Sequence, residues 1–211
     1  MDIHPPEHPI RSVRDFLLQI FTITCGIVIA LLLESEVINR HEARLARETR
    51  ADFVAELEEN AAKVREVRAM SDAHEKWLDN AADWAEALRK HQTRGKLVPP
   101  GAVIFPSLRN AAWETSLATQ AVRLLTFEET RALATAYNHQ AVLNDMVVRA
   151  REQWLGLSAF DIDPAEATDD GVRDGLRELR IASAYQHSLD LLEDKVMSEY
   201  QAAQNAIAAS K

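Results

Sequence analysis

Cysteine is almost absent: Cys25 stands alone, which excludes an intramolecular disulfide framework and every multi-cysteine metal site. Glycine and proline are scarce, 6 and 7 among 211 residues, and aromatics make up only 6 %. A β-sandwich or barrel needs frequent turn residues and β-branched runs, so this balance disfavours both. Cations are outnumbered, 24 Lys and Arg against 33 Asp and Glu. The resulting net charge of −9 leaves little for gripping a phosphate backbone, so no nucleic-acid partner is expected. What is plentiful is alanine, 33 residues in a chain that is 47 % apolar and 27 % charged. Such a composition folds, and it folds as helix. The fold class is all-α.

Charge is missing altogether from one stretch. Phe16 to Leu33 reads FLLQIFTITCGIVIALLL, 18 residues bounded by Arg11, Arg14 and Asp15 before and by Glu34 and Glu36 after. At ~1.5 Å per residue this helix covers about 27 Å, close to the ~30 Å hydrocarbon core of a bilayer. Val13 in front and Val37 and Ile38 behind extend the apolar column. A packed surface helix has one polar stripe, and this segment is apolar all round. A cleaved signal peptide has a shorter apolar run and a small-x-small cleavage site, which does not follow Leu33. The expectation is an uncleaved transmembrane anchor over residues 16–38, with the lipid bilayer as its first partner.

Gly26 and Ala30 are four apart, a small-xxx-small pair that lets two such helices approach closely. Cys25 reads as a small apolar filler, since a thiolate in lipid is costly. Orientation rests on the basic residues. Arg40, Arg44, Arg47 and Arg50 outnumber Arg11 and Arg14, but the latter pair lies closer to the apolar run. Proximity favours a cytoplasmic N-terminus and a body on the periplasmic side.

No glycine or proline interrupts Ile27 to Arg94, 68 residues. Within them Val54, Leu57, Ala61, Val64 and Val67 or Arg68 recur at three- and four-residue steps, as do Leu78, Ala81, Ala85 and Leu88. Trp77 and Trp84 share a face. The anchor therefore runs on into a stalk helix of coiled-coil spacing. Asp72-Ala73-His74-Glu75 has the form of a capping box, so a second helix starts there or one rod continues. Residues 95–106, GKLVPPGAVIFP, forbid helix and predict a loop lying against the body. Ser107 is a candidate cap for a short helix through Leu117, with Trp113 and Leu117 facing inward. Thr126-Phe127-Glu128-Glu129 is a second capping box, opening a helix to about Leu155 that Gly156 ends. Its inner face reads Leu133, Tyr137, Leu143, Val147 and Trp154. A last helix, about Val172 to Ala209, places Tyr185, Leu189, Leu192, Val196, Tyr200, Ala203 and Ile207 on one side.

The organisation expected is a tail 1–15, an anchor 16–38, a stalk 39–94, a Pro/Gly loop 95–106 and an antiparallel helical bundle 107–211. About four helices fold back on the anchor-plus-stalk helix as antiparallel neighbours. A projecting stalk would expose its apolar seam, which makes a dimer along it reasonable.

Catalytic groupings are hard to find. Of His4, His8, His41, His74, His91, His139 and His187, none forms a helical i, i+4 metal pair, since His4 and His8 straddle Pro5 and Pro6. Asp161, Asp163, Glu166, Asp169 and Asp170 crowd one loop, but Pro164 and Glu166 break the calcium-loop pattern, and Asp169-Asp170-Gly171 reads as a helix start. No phosphate-cradling glycine loop and no nucleophile elbow occurs. Arg44, Arg47 and Arg50 are interleaved with Glu42, Glu48 and Asp52, as on a solvated face. No cofactor, metal or catalytic residue is assigned.

The segment GIVIALLLESEVINRHEARLARETRADFVAELEEN resembles a widespread group of uncharacterised bacterial single-span membrane proteins. The residues that carry the likeness are Gly26, Ala30, Leu31, Asp52, Phe53, Glu56 and Leu57. A later stretch, NAAWETSLATQAVRLLTFEETRALATAYNHQ, is similar to the group's second shared region through Trp113, Leu124, Leu125, Tyr137 and Asn138. A tryptophan frequent just past the span in that group has no counterpart between Glu34 and Asn39. The resemblance implies a single-span helical architecture and no activity.

Two functions follow as expectations. The first is a membrane-anchored interaction, scaffold or accessory protein that binds another membrane protein or itself as a homo-oligomer. The alternative is a membrane-tethered enzyme with a site assembled from Glu114, Tyr137, His139 and Asp145, which predicts a concave polar pocket with shifted pKa values.

Overall fold

The computed structural model describes residues 13–92, 95–158, 164 and 166–210. Among the described residues there are four α-helices, α1 (Val13–Arg89), α2 (Ala111–Ala118), α3 (Phe127–Ser158) and α4 (Asp169–Ala209), with one 3-10 turn at Ala121–Leu124. Among the described residues there is no strand. The chain is all-α, as its composition requires.

Helix α1 runs without a break for 77 residues. Asp72 starts nothing: Ser71 and His74 beside it are buried at 4 and 7 % exposure, so this turn is part of the packed face. There are consequently three helices after α1 rather than four. The helix stops at Arg89, five residues before the Arg94 boundary. His91 adopts the left-handed conformation (φ 56°), and Gln92 N–H donates to the Ala87 carbonyl, closing the last turn with a Schellman-type bond.

Residues Met1–Arg47 and Glu48–Lys211 form two separate compact units. In the second, the continuation of α1 is a bundle helix. Phe53, Leu57, Ala61 and Val64 are at most 7 % exposed, and Leu78, Ala81, Ala85 and Leu88 at most 6 %. Phe53, Leu57 and Ala61 pack in one cluster with Leu133, Tyr137, Leu143 and Val147 of α3 and Val196, Tyr200, Ala203 and Ile207 of α4. A second cluster joins Leu78, Ala81, Ala85 and Leu88 to Trp154, Leu157, Val172, Leu179 and Ala182. The seam that a free stalk would have left bare is covered from within the chain, so over residues 48–89 no second copy is needed to bury it.

Helix α4 shows why three helices suffice. Its buried positions are 172, 175, 179, 182, 186, 189, 190, 193, 196, 200, 203 and 207; apart from Asp190 they alternate steps of three and four, the period of one helix face turned to its neighbours. Thr168 caps it, its Oγ1 accepting from Gly171 N–H at 3.2 Å. Helices α3 and α4 are antiparallel: His139 meets Glu199, Gln140 meets Tyr200, and Trp154 and Leu157 meet Val172 and Leu179. Helix α4 is also antiparallel to α1, through Ser71–Asp190 and Arg68–Asp194.

Helices α1 and α3, by contrast, run parallel. Arg50 pairs with Glu129, Glu56 with Tyr137 and Asn60 with Gln140. The connection between them makes this possible. Trp84 Nε1–H donates to the Gly95 carbonyl at 2.7 Å and Trp77 Nε1–H to the Val98 carbonyl at 2.8 Å. Asn60 holds both the N–H and the C=O of Arg109, at 2.9 and 2.7 Å. Residues 95–110 thus return along α1, from the level of Trp84 to that of Asn60. An extended chain gains ~3.3 Å per residue against ~1.5 Å for helix, so a short strap undoes more than six helical turns.

The same contacts move the start of α2. With Arg109 held extended by Asn60, Ser107 caps no helix, and α2 begins at Ala111. Its Ala112 N–H is capped from α1 by the Glu56 carboxylate at 3.0 Å. Trp113 faces inward as expected, stacked on Tyr137 with centroids 5.5 Å apart, but Leu117 is 48 % exposed. The Thr126 box forms: Glu129 N–H donates to Thr126 Oγ1 at 3.2 Å, and Thr126 N–H to Glu129 Oε2 at 2.7 Å. Gly156 does not end α3, which continues to Ser158.

Candidate functional site

The apolar part of α1 is chemically unlike the bundle helices. Every large hydrophobic residue from Phe16 to Ile38 has 45–68 % of its surface open. An 18-residue window of this segment has a mean hydropathy of 2.5, and none of it is buried. It is long and apolar enough to cross a membrane. Its two threonines expose no unsatisfied hydroxyl: Thr22 Oγ1–H donates to the Leu18 carbonyl at 2.9 Å and Thr24 Oγ1–H to the Ile20 carbonyl at 2.8 Å. That is how a hydroxyl is accommodated where no water is present. Gly26 has no side chain or backbone of another segment within 4 Å, and Ala30 is exposed, so the small pair lies on open surface.

The residues weighed for catalysis are not gathered into one place. A cleft of about 370 Å³ opens between α2 and α3, lined by Asn110, Trp113, Ala134, Tyr137, Asn138, Gln140, Ala141 and Asn144. Of the four candidates only Tyr137 reaches it, and its hydroxyl points elsewhere, donating to Glu56 Oε1 at 2.7 Å. Burial, then the Glu56 carboxylate, push this phenol far above its ordinary range. Glu114 accepts from Asn110 Nδ2–H at 2.7 Å, His139 Nδ1 lies 3.0 Å from the Thr135 carbonyl, and Asp145 is exposed. The lining offers amides and rings but no carboxylate, imidazole, amine or thiol.

Beneath the cleft the polar groups are committed to holding helices together. Gln140 Nε2–H donates to the Arg109 carbonyl at 2.8 Å, while its Oε1 accepts from Asn60 Nδ2–H and Tyr200 O–H at 3.2 and 2.6 Å. Burial raises the Tyr200 phenol as well. Every member of this network is satisfied, as a structural core polar group must be. Phe53 lies 6.3 Å from Trp113 and 6.0 Å from Tyr137, so α1, α2 and α3 meet here.

Two other polar centres join the helices. Glu129, fully buried, accepts from Arg50 Nε–H and Nη2–H at 2.6 and 2.9 Å and from Ser210 Oγ–H at 2.6 Å. Burial pushes this carboxyl up, but the Arg50, Ser210 and Thr126 hydrogen bonds outweigh it and hold the group at about 2. Glu193 and Asp190 of α4 face Arg68 and Ser71 of α1. The signal that marks all of these is register. Glu129, Gln140, Gln186 and Glu193 fall on the apolar faces of their helices, where a solvated residue would be out of place.

Among the described residues no group of three or more His, Cys, Asp or Glu is placed to hold an ion. His74 is a core residue, 5.4 Å from the Trp154 ring and 3.5 Å from the Ala102 carbonyl oxygen. His4 and His8, and Asp161 and Asp163 of the acidic loop, lie outside the described residues. Asp169 and Asp170 form the first turn of α4. Compared with known protein families, curated proteins and solved structures, the chain matches none.

Proposed function

We propose that this chain is a single-pass, membrane-anchored helical interaction or scaffold protein, an accessory subunit without catalytic activity of its own. In this reading residues 16–38 cross a bacterial inner (cell) membrane, and the body binds another membrane protein or a second copy of itself. The observation that carries the reading is the unburied apolar window of mean hydropathy 2.5. Water disfavours so large a contiguous apolar surface, whereas a bilayer accepts it. The side of the body follows from Arg11 and Arg14, the basic residues nearest the apolar run, which favour a cytoplasmic tail and a periplasmic body. Gly26 and Ala30 mark the face on which a second span packs.

The membrane-tethered enzyme remains a second reading on one observation, the cleft beside Tyr137 and Asn138. Its neutral lining supplies no acid, base or nucleophile, which is why the scaffold reading is preferred.

The test is made on the full-length chain in its native membrane. The anchor predicts retention in vesicles through an alkaline carbonate wash and a C-terminal tag that external protease reaches in spheroplasts. Release by carbonate defeats the anchor, and a protected tag reverses the orientation. Crosslinking followed by mass spectrometry should give a stoichiometric partner or a homo-oligomer; a monomer carrying a bound small molecule favours the enzyme.

A further inference from the structure

Helix α4 carries three carboxylates within five residues, Asp190, Glu193 and Asp194, toward a single cation of α1, Arg68. They are not equivalent. Asp190 Oδ1 is saturated: it accepts from Ser71 Oγ–H at 2.6 Å and Gln186 Nε2–H at 3.1 Å, and Arg68 Nη1 lies 2.7 Å away. Asp194 is paired more loosely, Arg68 Nη2 to Oδ2 at 3.4 Å, and its side chain is 67 % exposed, so water carries its charge. Glu193 is only 2 % exposed, and its Oε2 has no hydrogen-bond partner at all. One guanidinium cannot neutralise three carboxylates, and the one that is buried with an oxygen left without a donor is the one that keeps a proton.

The surroundings reinforce this. From α1 the charged group acting on Glu193 is Arg68, which lies within ion-pair distance of two aspartates while its Nη1 has no hydrogen-bond partner; from α4 Asp190 and Asp194 repel its charge. The antiparallel register set by Gln140–Tyr200 and His139–Glu199 brings Val147 and Ala150 of α3 opposite, both buried and apolar. We propose that the Glu193 carboxyl is a proton-operated latch on the seam between α1 and α4, closed while the proton is held and loosened when it leaves. Burial, then the neighbouring Asp190 charge, push this carboxyl up to about 7, so the latch works in the neutral range.

The sign follows from linkage. An acid whose pKa is higher closed than open holds its proton in the closed form between the two values, so opening releases it and rising pH favours opening. The change runs from about 4.5, the open value, to about 7, at close to tenfold in the opening equilibrium per pH unit, and stops above that. Hydrogen exchange on the detergent-solubilised full chain, corrected for intrinsic rates, reads this directly. Protection of the α1 and α4 amides around Arg68, Ser71, Asp190 and Glu193 should fall on the order of a hundredfold between pH 5 and pH 7.5. In Glu193→Gln, which keeps shape and removes the charge, that protection should stay level; an equal fall in both proteins overturns the latch. Because every other ionisable group is common to both proteins, the difference between the two isolates Glu193. Should the variant fail to fold, carbon-detected NMR on the unmodified chain decides: a Glu193 carboxyl midpoint near 7 supports the latch, and one near 4.5 sinks it.

Discussion

At Glu129 one carboxylate joins three helices: Arg50 reaches it from α1, Thr126 from the start of α3 and Ser210 from the end of α4. Its side chain has no exposure and that of Arg50 only 18 %, so removing the cation strands a buried charge. Arg50→Ala should therefore cost about 3–5 kcal/mol in chemical denaturation, far more than loss of an exposed ion pair such as Arg131–Glu128. The acid limb has a definite sign. Because the folded carboxyl sits at about 2, below its ordinary 4.5, its contribution is complete above 4.5 and drains away as pH falls toward 2. Glu129→Gln should be less stable at neutral pH and lose less on acidification, as followed by circular dichroism.

The helices themselves were legible because their apolar residues keep one period. The inner faces of α3 and α4 read from the sequence are the faces found, with Leu133, Tyr137, Leu143, Val147 and Trp154 all buried. Three features escaped. The capping box at Asp72 is overridden because Ser71 and His74 pack inside, where tertiary contacts outweigh a local signal. The parallel course of α3 depends on indole and amide side chains catching carbonyls up to about fifty residues away, which no local period encodes. The polar core residues look like surface until their register is counted against the neighbouring leucines. Gly156 gives an independent check at this scale. It lies inside α3, and a Cβ there would meet nothing within 4 Å. Gly156→Ala should raise stability by about 0.4–1 kcal/mol in thermal or urea unfolding, by restricting the unfolded chain.

For the whole molecule, the division at Arg47 and Glu48 separates two kinds of surface. Unit Glu48–Lys211 buries its own apolar faces in two clusters, whereas the apolar window of α1 has none of its surface covered. A chain beginning at Glu48 should accordingly remain helical and cooperative in the absence of detergent, and the full chain should not stay dispersed there. Analytical ultracentrifugation with circular dichroism distinguishes the outcomes; aggregation of the truncated chain would contradict the division.

The returning strap also sets an order of events during synthesis. Because α3 lies parallel to α1, the pairs that join them are 79 to 81 residues apart, and those joining α1 to α4 are 115 to 126 apart. Helices α3 and α4 are neighbours in sequence, α3 ending at Ser158 and α4 starting at Asp169. Distant pairings close slowly and neighbouring ones quickly, so the hairpin of the two later helices zips first. Of these three helices, the one made first is the last to find its partners.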